Sequence, residues 1–436
     1  MTDLTLSQQN TRPNAGAPCV AVRGAAITTG ASSASAAIPD TAQGTPPNRV
    51  RLASTAACYA RLGTPAEGSA VIAATGTGYG IGDSITLAGG TFTAAMGLTV
   101  ATAKLTSVAL NALGSGYDVG QVLTLAGGTA ATKAAITLAT CQLASATLNA
   151  AGTGYAPGNV ITTAATGGTA SAHATLTVST TKAVSATVAA GGTGDLGNGA
   201  GVIVEGTTGT GTKFRASVTI TTNAISSVQS ISVAGSYTVN PTAIANEPVT
   251  YISGASSGTT LTGAQLSVVL GVDTFAVTTR GSYTVIGTAL TQNGATTPAG
   301  GTGVTFSSPL FAPLTWSVSE AGNYSVTSAS FTQDGATAPA GGTGATFNTA
   351  VYGVHTVTVS NPGAYTVEPS NPVSQGSTTG SGTNATFTVT WATAAAAGDM
   401  LIVPGDAMIV DAVGFDHVSA IQVTGAGVLV VTPLEN

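Results

Sequence analysis

The side chains able to do chemistry are few and far apart. The histidines are His173, His355 and His417, in three separate stretches of the chain. A metal site needs convergent ligands, and a nucleophilic site needs a base beside its nucleophile. Neither spacing occurs, so each histidine reads as an exposed or satisfied strand residue. The densest carboxylates are Asp399, Asp406, Asp411 and Asp416. Paired carboxylates serve glycoside hydrolysis or calcium binding. Here no Asp-x-Asp-x-Asp-Gly loop accompanies them. Two sit in turn sequences, PGD and GFDH, where aspartate bonds its own backbone. Cys19, Cys58 and Cys141 are odd in number and match no metal spacing or disulfide framework. They read as small buried hydrophobes. No catalytic, metal or cofactor-binding residue is assigned, no cofactor is expected, and the chain reads as a non-enzyme.

One glycine motif imitates a cofactor loop. GTGYGIG, from Gly76, looks like a dinucleotide fingerprint. That fingerprint requires a helix whose free N-terminus holds the pyrophosphate. A β run follows instead, and the motif recurs down the chain. The remaining polar lead is basic. Arg23, Arg49, Arg51 and Arg61 are four of the 11 Lys and Arg residues, all in the segment before the repeats. In NRVRL, Arg49 and Arg51 alternate onto one strand face. Together the four form a candidate docking surface for an acidic partner, with a solvated face as the plainer alternative.

Composition narrows the partners. The 436 residues are 43% hydrophobic and 6% charged, where soluble domains carry about 25% charged residues. No uninterrupted apolar run of about 18 residues exists, so membrane insertion is not expected. The opening MTDLTLSQQNTRPNAG has neither a basic nor an apolar signal region, and the expectation is synthesis in a cytoplasm. A net charge of −6 with no basic block makes nucleic acid a poor partner. Aromatics are only 5% and glycines number 58, which implies thin cores supported by stacked repeats or by oligomers.

Repeats are what the text shows best. Tyr79, Tyr117 and Tyr155 recur every 38 residues in Gly-x-Gly-Tyr turns. A degenerate copy follows, with Asp195 in the tyrosine place. A second spelling, Gly-x-Tyr-x-Val, carries Tyr237, Tyr283, Tyr324 and Tyr365 at steps of 46, 41 and 41 residues. Eight units result. Period-two alternation of Val, Ile and Thr between glycine turns predicts strands, about three short ones per unit. Each repeat-turn tyrosine is expected to cover the thin apolar layer, its hydroxyl reaching water or a backbone carbonyl. A sugar-binding aromatic platform is the competing reading.

The flanks are written differently. CVAVRGAAI, SASAAIP, NRVRLAS and ACYARLG precede the repeats; DMLIVPG, AMIVDAV, HVSAIQVTG and GVLVVTPLE follow them. Four strands at each end make a two-sheet sandwich if they pair in space. The predicted fold is therefore all-β, with a β-sandwich base domain formed by both chain ends and an inserted array of about eight short β repeats. Its divisions are an N-terminal arm (1–19), base first half (20–69), repeat arm of the first type (70–234), repeat arm of the second type (235–394) and base second half (395–436). An insert leaving and re-entering at one place must go out and come back, with four units ascending and four descending.

The flanking stretches NRVRLASTAACYARLG and GDMLIVPGDAMIVDAVGFDHVSAIQVTGAGVLVVTPLE resemble small β-sandwich structural proteins of tailed bacteriophages. The Gly-Ser/Thr-Gly-Tyr and Gly-Gly-Thr-Gly-Ala-Thr wording is similar to repeats of phage fibre and tail proteins. The resemblance implies a virion structural component: a capsid decoration protein or head fibre, or else a tail fibre or receptor-binding adhesin, with a depolymerase spike as the remaining alternative. It implies partners in the major capsid or other virion proteins. A homo-oligomer, read as a trimer, would cover strand edges, and weak contacts with host-surface glycans would add by avidity.

Overall fold

Alternation along the flanks builds the platform. In Arg49–Ser54, Val50 and Leu52 are fully buried while Arg49 and Arg51 point outward. The computed structural model describes residues 24–30, 33–63, 68–391 and 395–434. The first flank supplies β1 (Ala25–Thr29), β2 (Ala34–Ala37), β3 (Arg49–Ser54) and β4 (Cys58–Gly63). The long strands of the outgoing repeats are β5 (Ser69–Thr77), β6 (Gly97–Ser115), β7 (Ala135–Thr153) and β8 (Thr175–Ala190). Those of the returning repeats are β9 (Gln265–Thr279), β10 (Thr302–Glu320), β11 (Thr343–Asn361) and β12 (Thr383–Thr390). The second flank supplies β13 (Met400–Ile402), β14 (Ala407–Asp411), β15 (His417–Gln422) and β16 (Gly427–Leu434).

The platform is two four-stranded antiparallel sheets, β1-β16-β3-β14 and β2-β15-β4-β13. Every neighbour pair joins a strand of one flank to a strand of the other. Leu52 lies opposite Val431 and Met408, and Ala60 opposite Ala420 and Met400. Neither flank can form a sheet alone, so the base exists only when the chain ends meet. Between the sheets, Ile27, Val50, Leu52, Cys58, Ile402, Val418, Leu429 and Val431 share one apolar core.

The insert goes out and returns as paired strands. β5 pairs with β12, β6 with β11, β7 with β10 and β8 with β9, all antiparallel. We call these pairs tiers one to four. Beyond tier four the chain turns back through the hairpin Arg215–Thr221 and Ala224–Val233. Its two turn residues, Thr222 and Asn223, have φ of 51° and 61°. That left-handed pair matches the twist of flanking strands and closes a tight hairpin.

The three short strands expected per unit form only in part. The middle strand is short, as in Ser84–Leu87 and Val122–Ala126, but the closing strand of one unit runs unbroken into the lead-in of the next, giving strands of up to 19 residues. The cause is a bulge where a break was expected. Along β7, Ile136 and Leu138 are buried, then Cys141 and Leu143: the inward parity changes. The same change separates Leu98 and Val100 from Ala103 and Leu105 in β6. The pairing register slips at these points. A one-residue slip turns every later side chain to the opposite face. One strand thus serves two successive cores. At each slip a threonine pair bridges the two arms: Thr102 with Thr356 at 2.6 Å, Thr140 with Thr315 at 2.7 Å, and Thr180 with Thr274 at 2.7 Å.

Candidate functional site

The seven repeat tyrosines are all buried, none more than 8% exposed. Their hydroxyls meet backbone donors where the sequence suggested water or a backbone carbonyl. Each accepts a hydrogen bond from a backbone N–H. On the outgoing arm, Tyr79 takes it from Ala385 at 3.2 Å, Tyr117 from Ala345 at 2.9 Å, and Tyr155 from Val304 at 3.2 Å. The returning arm reciprocates. Tyr283 takes Ala174 at 3.2 Å, Tyr324 takes Ala134 at 2.9 Å, and Tyr365 takes Met96 at 2.8 Å. Tyr237 does the same near the tip, from Phe214 at 2.8 Å. Rings enclosed in this way present no face to a sugar, which removes the aromatic-platform reading.

Three outgoing tyrosines also donate. Tyr79, Tyr117 and Tyr155 give their hydroxyl protons to the side-chain carbonyls of Gln375, Gln333 and Gln292. Each glutamine then donates its amide to a glycine carbonyl: Gly382 at 2.8 Å, Gly342 at 2.9 Å and Gly301 at 2.9 Å. The tyrosine ring lies on that same glycine. A Cβ on Gly301, Gly342 or Gly382 would stand 2.2 Å from the ring, so the close approach requires glycine there. Meanwhile the Tyr117 N–H donates to Phe311 O in the next tier out at 3.0 Å. Each such residue therefore fastens the two arms together and one tier to the next. Burial pushes the hydroxyls of Tyr79, Tyr117, Tyr155, Tyr237, Tyr324 and Tyr365 above their usual range, with the backbone donors pulling partly back. The glutamines escaped the sequence reading. Their signal was position: Gln292 and Gln333 each precede the stacked glycine by nine residues.

The arginines divide. Arg23 lies outside the described residues, as does Cys19. Arg49 and Arg51 stand on the outer face of the β1-β16-β3-β14 sheet, opposite Asp411 and Ile409 in register. Arg61, on β4, belongs to the other sheet and points out of the opposite side of the sandwich. The three described arginines therefore do not form one surface. Arg61's sheet meets the arm: Ser419 and His417 there are buried, and the Ser35 hydroxyl donates to Gly363 O at 3.0 Å. A cavity of about 340 Å³ at this junction is lined by Ser35, Ala37, Asn361, Pro362, Asp416 and His417. Among the described residues nothing packs on the outer face carrying Arg49 and Arg51. Among the described residues neither arginine forms an ion pair.

Three of the four clustered carboxylates have structural partners. Asp399 accepts from the Ala396 N–H at 2.8 Å and Asp411 from the Val413 N–H at 3.1 Å, which is turn chemistry. Asp416 contacts His417 Nδ1 at 2.8 Å. His173 is exposed in the short link between the strands Thr169–Ala172 and Thr175–Ala190, and His355 is half-buried on β11 in a different tier. Cys58 and Cys141 are buried thiols, and burial pushes that of Cys141 up to about 12. Among the described residues no helix is long and apolar enough to cross a membrane.

No protein-family model, no curated protein and no solved structure matches this chain.

Proposed function

We propose that the protein is a structural component of a bacteriophage virion, a capsid decoration protein or head fibre. Its platform docks on the particle and its repeat arm projects outward. The observation that carries this reading is the architecture itself. Both chain ends close one small sandwich, and everything between them is spent on a braced arm that leaves and returns at one place. The free platform face, with Arg49 and Arg51 unpaired and Val430 and Ile409 exposed beside them, offers basic and apolar contacts to an acidic shell protein. The arm's outer surface is rich in threonine, serine and alanine, suited to weak repeated contact with host glycans.

Labelling of intact particles tests the reading. Many copies spread over the head support it. A few copies confined to the tail vertex would replace it with the tail-fibre reading, and absence from the particle would overturn both. Cleavage of host polysaccharide by the purified protein would favour the depolymerase alternative.

A further inference from the structure

Among the described residues the platform has two open sides, and they differ. One is bounded by β1 and β2, AAITT and ASAA, whose side chains other than Ile27 are alanine, serine and threonine. The other is bounded by β13 and β14, the edge strands of the two sheets, joined by a Pro-Gly turn. There Leu401, Val403, Met408, Ile409 and Val413 are between 37% and 63% exposed. Large apolar side chains concentrated in this way mark an interaction surface. They flank backbone N–H and C=O groups that have no ladder partner on that side among the described residues. Proteins normally blunt such an edge with lysine, proline or a bulge. β14 reads AMIVD, and its five residues pair with β3 without a register shift.

We infer that this edge is a two-fold interface with a second copy of the chain. The occupant follows from self-complementarity. A half-turn about an axis normal to the sheet sets β14 antiparallel to its mate, centred on Ile409. Ile409 then faces the partner's Ile409, Met408 the partner's Val410, and Ala407 the partner's Asp411. No like charges meet, because Asp411 is the single charge on the strand. The β1-β16-β3-β14 sheet becomes one of eight strands, and the β1 and β2 edges stay outside the contact. Such an isologous pairing is the commonest oligomer symmetry. It also leaves Arg49 and Arg51 of both copies on one common face, although the inference does not depend on what that face binds.

Light scattering on the full chain tests it. The expected mass is twice the 41.9 kDa of one chain. Ile409→Lys, an exposed change, leaves circular dichroism and unfolding unaltered and weakens association at least about 100-fold. Ile409→Cys, at the axis, oxidises to a covalent dimer, since facing residues of an antiparallel pair lie about 4.5–5.5 Å apart. Thr28→Cys on β1 does not. A monomeric or trimeric mass, or cross-linking through Thr28→Cys in place of Ile409→Cys, would overturn the inference. Should Ile409→Lys fail to fold, the mass of the unaltered chain and the two cysteine variants decide alone.

Discussion

Adding one methyl group at Gly342 is the sharpest way to attack the arm. Its Cβ would stand 2.2 Å from the Tyr117 ring, and that ring has nowhere to go. It is fully buried, and its hydroxyl is tied to Ala345 and Gln333 at once. Gly342 is outside the left-handed region, so the cost is purely steric. Overpacking costs about 1–3 kcal/mol. Displacing the ring also breaks one buried and one part-buried hydrogen bond, at about 1 kcal/mol each or more where a group is left unpaired. Gly342→Ala should therefore destabilise by about 3–5 kcal/mol. Gly344 is an internal control: its φ is +80° and a Cβ there meets nothing closer than 3.6 Å. Gly344→Ala should cost only about 1–2 kcal/mol, the left-handed backbone penalty without a clash. Urea unfolding followed by tryptophan fluorescence in a Trp391→Phe background reports this part of the arm, because Trp316 packs edge-on against Phe347, 5.3 Å between centroids. Combining Gly342→Ala with Tyr117→Ala removes the clash, so the two costs should fall well short of additive. A Gly342→Ala change within 0.5 kcal/mol of the parent (roughly the level of neutral surface substitutions), or full additivity, would refute the stapling argument.

Other outcomes follow from the same geometry. Deleting residues 117–154 together with 283–323 removes one tier from both arms and leaves every surviving tyrosine an equivalent partner; that variant should fold cooperatively, while either deletion alone should not, as read by circular dichroism and proteolysis. Alkaline unfolding should track the buried tyrosines. The folded pKa values of Tyr79, Tyr117, Tyr155, Tyr237, Tyr324, Tyr352 and Tyr365 are raised, that of Tyr352 to about 12, so their contribution is complete below the unfolded value near 10 and is lost as pH rises through the folded one. Stability should fall above about pH 10, and Tyr352→Phe should shallow the slope there. In the platform, Leu429→Ala should cost about 2–5 kcal/mol, because the side chain is wholly enclosed between the sheets. Finally, Arg49→Glu with Arg51→Glu should weaken particle binding by about tenfold or more without changing stability, a loss on the order of 1.4 kcal/mol. Arg61→Glu, on the opposite face, should leave binding unchanged.

Much of this was legible because period-two alternation is a direct physical signal. NRVRL named its own inward pair, Val50 and Leu52, and its outward pair, Arg49 and Arg51. The eight flanking runs were readable as strands for the same reason. What alternation cannot say is which sheet a strand joins, so Arg61 was grouped with residues it never approaches. The bulges at Thr102, Thr140 and Thr180 were hidden too. A change of parity looks like a strand ending when it is one strand changing faces. The tyrosines stood out through their glycines, yet their glutamine partners did not, because Gln292 and Gln333 meet Tyr155 and Tyr117 only after the arms have paired. Sequence distance of 137 and 216 residues conceals contacts that the fold makes obligatory.

The platform is where the account is most exposed to a single measurement. Ala53 and Val430 lie directly opposite each other on neighbouring strands, one from each end of the chain. Replacing both with cysteine should give an intramolecular disulfide under mild oxidation, seen as a faster-migrating looped chain that reverts on reduction. A chain that stays linear, or that links only to other chains, would contradict the claim that the two ends of one molecule fold into one domain.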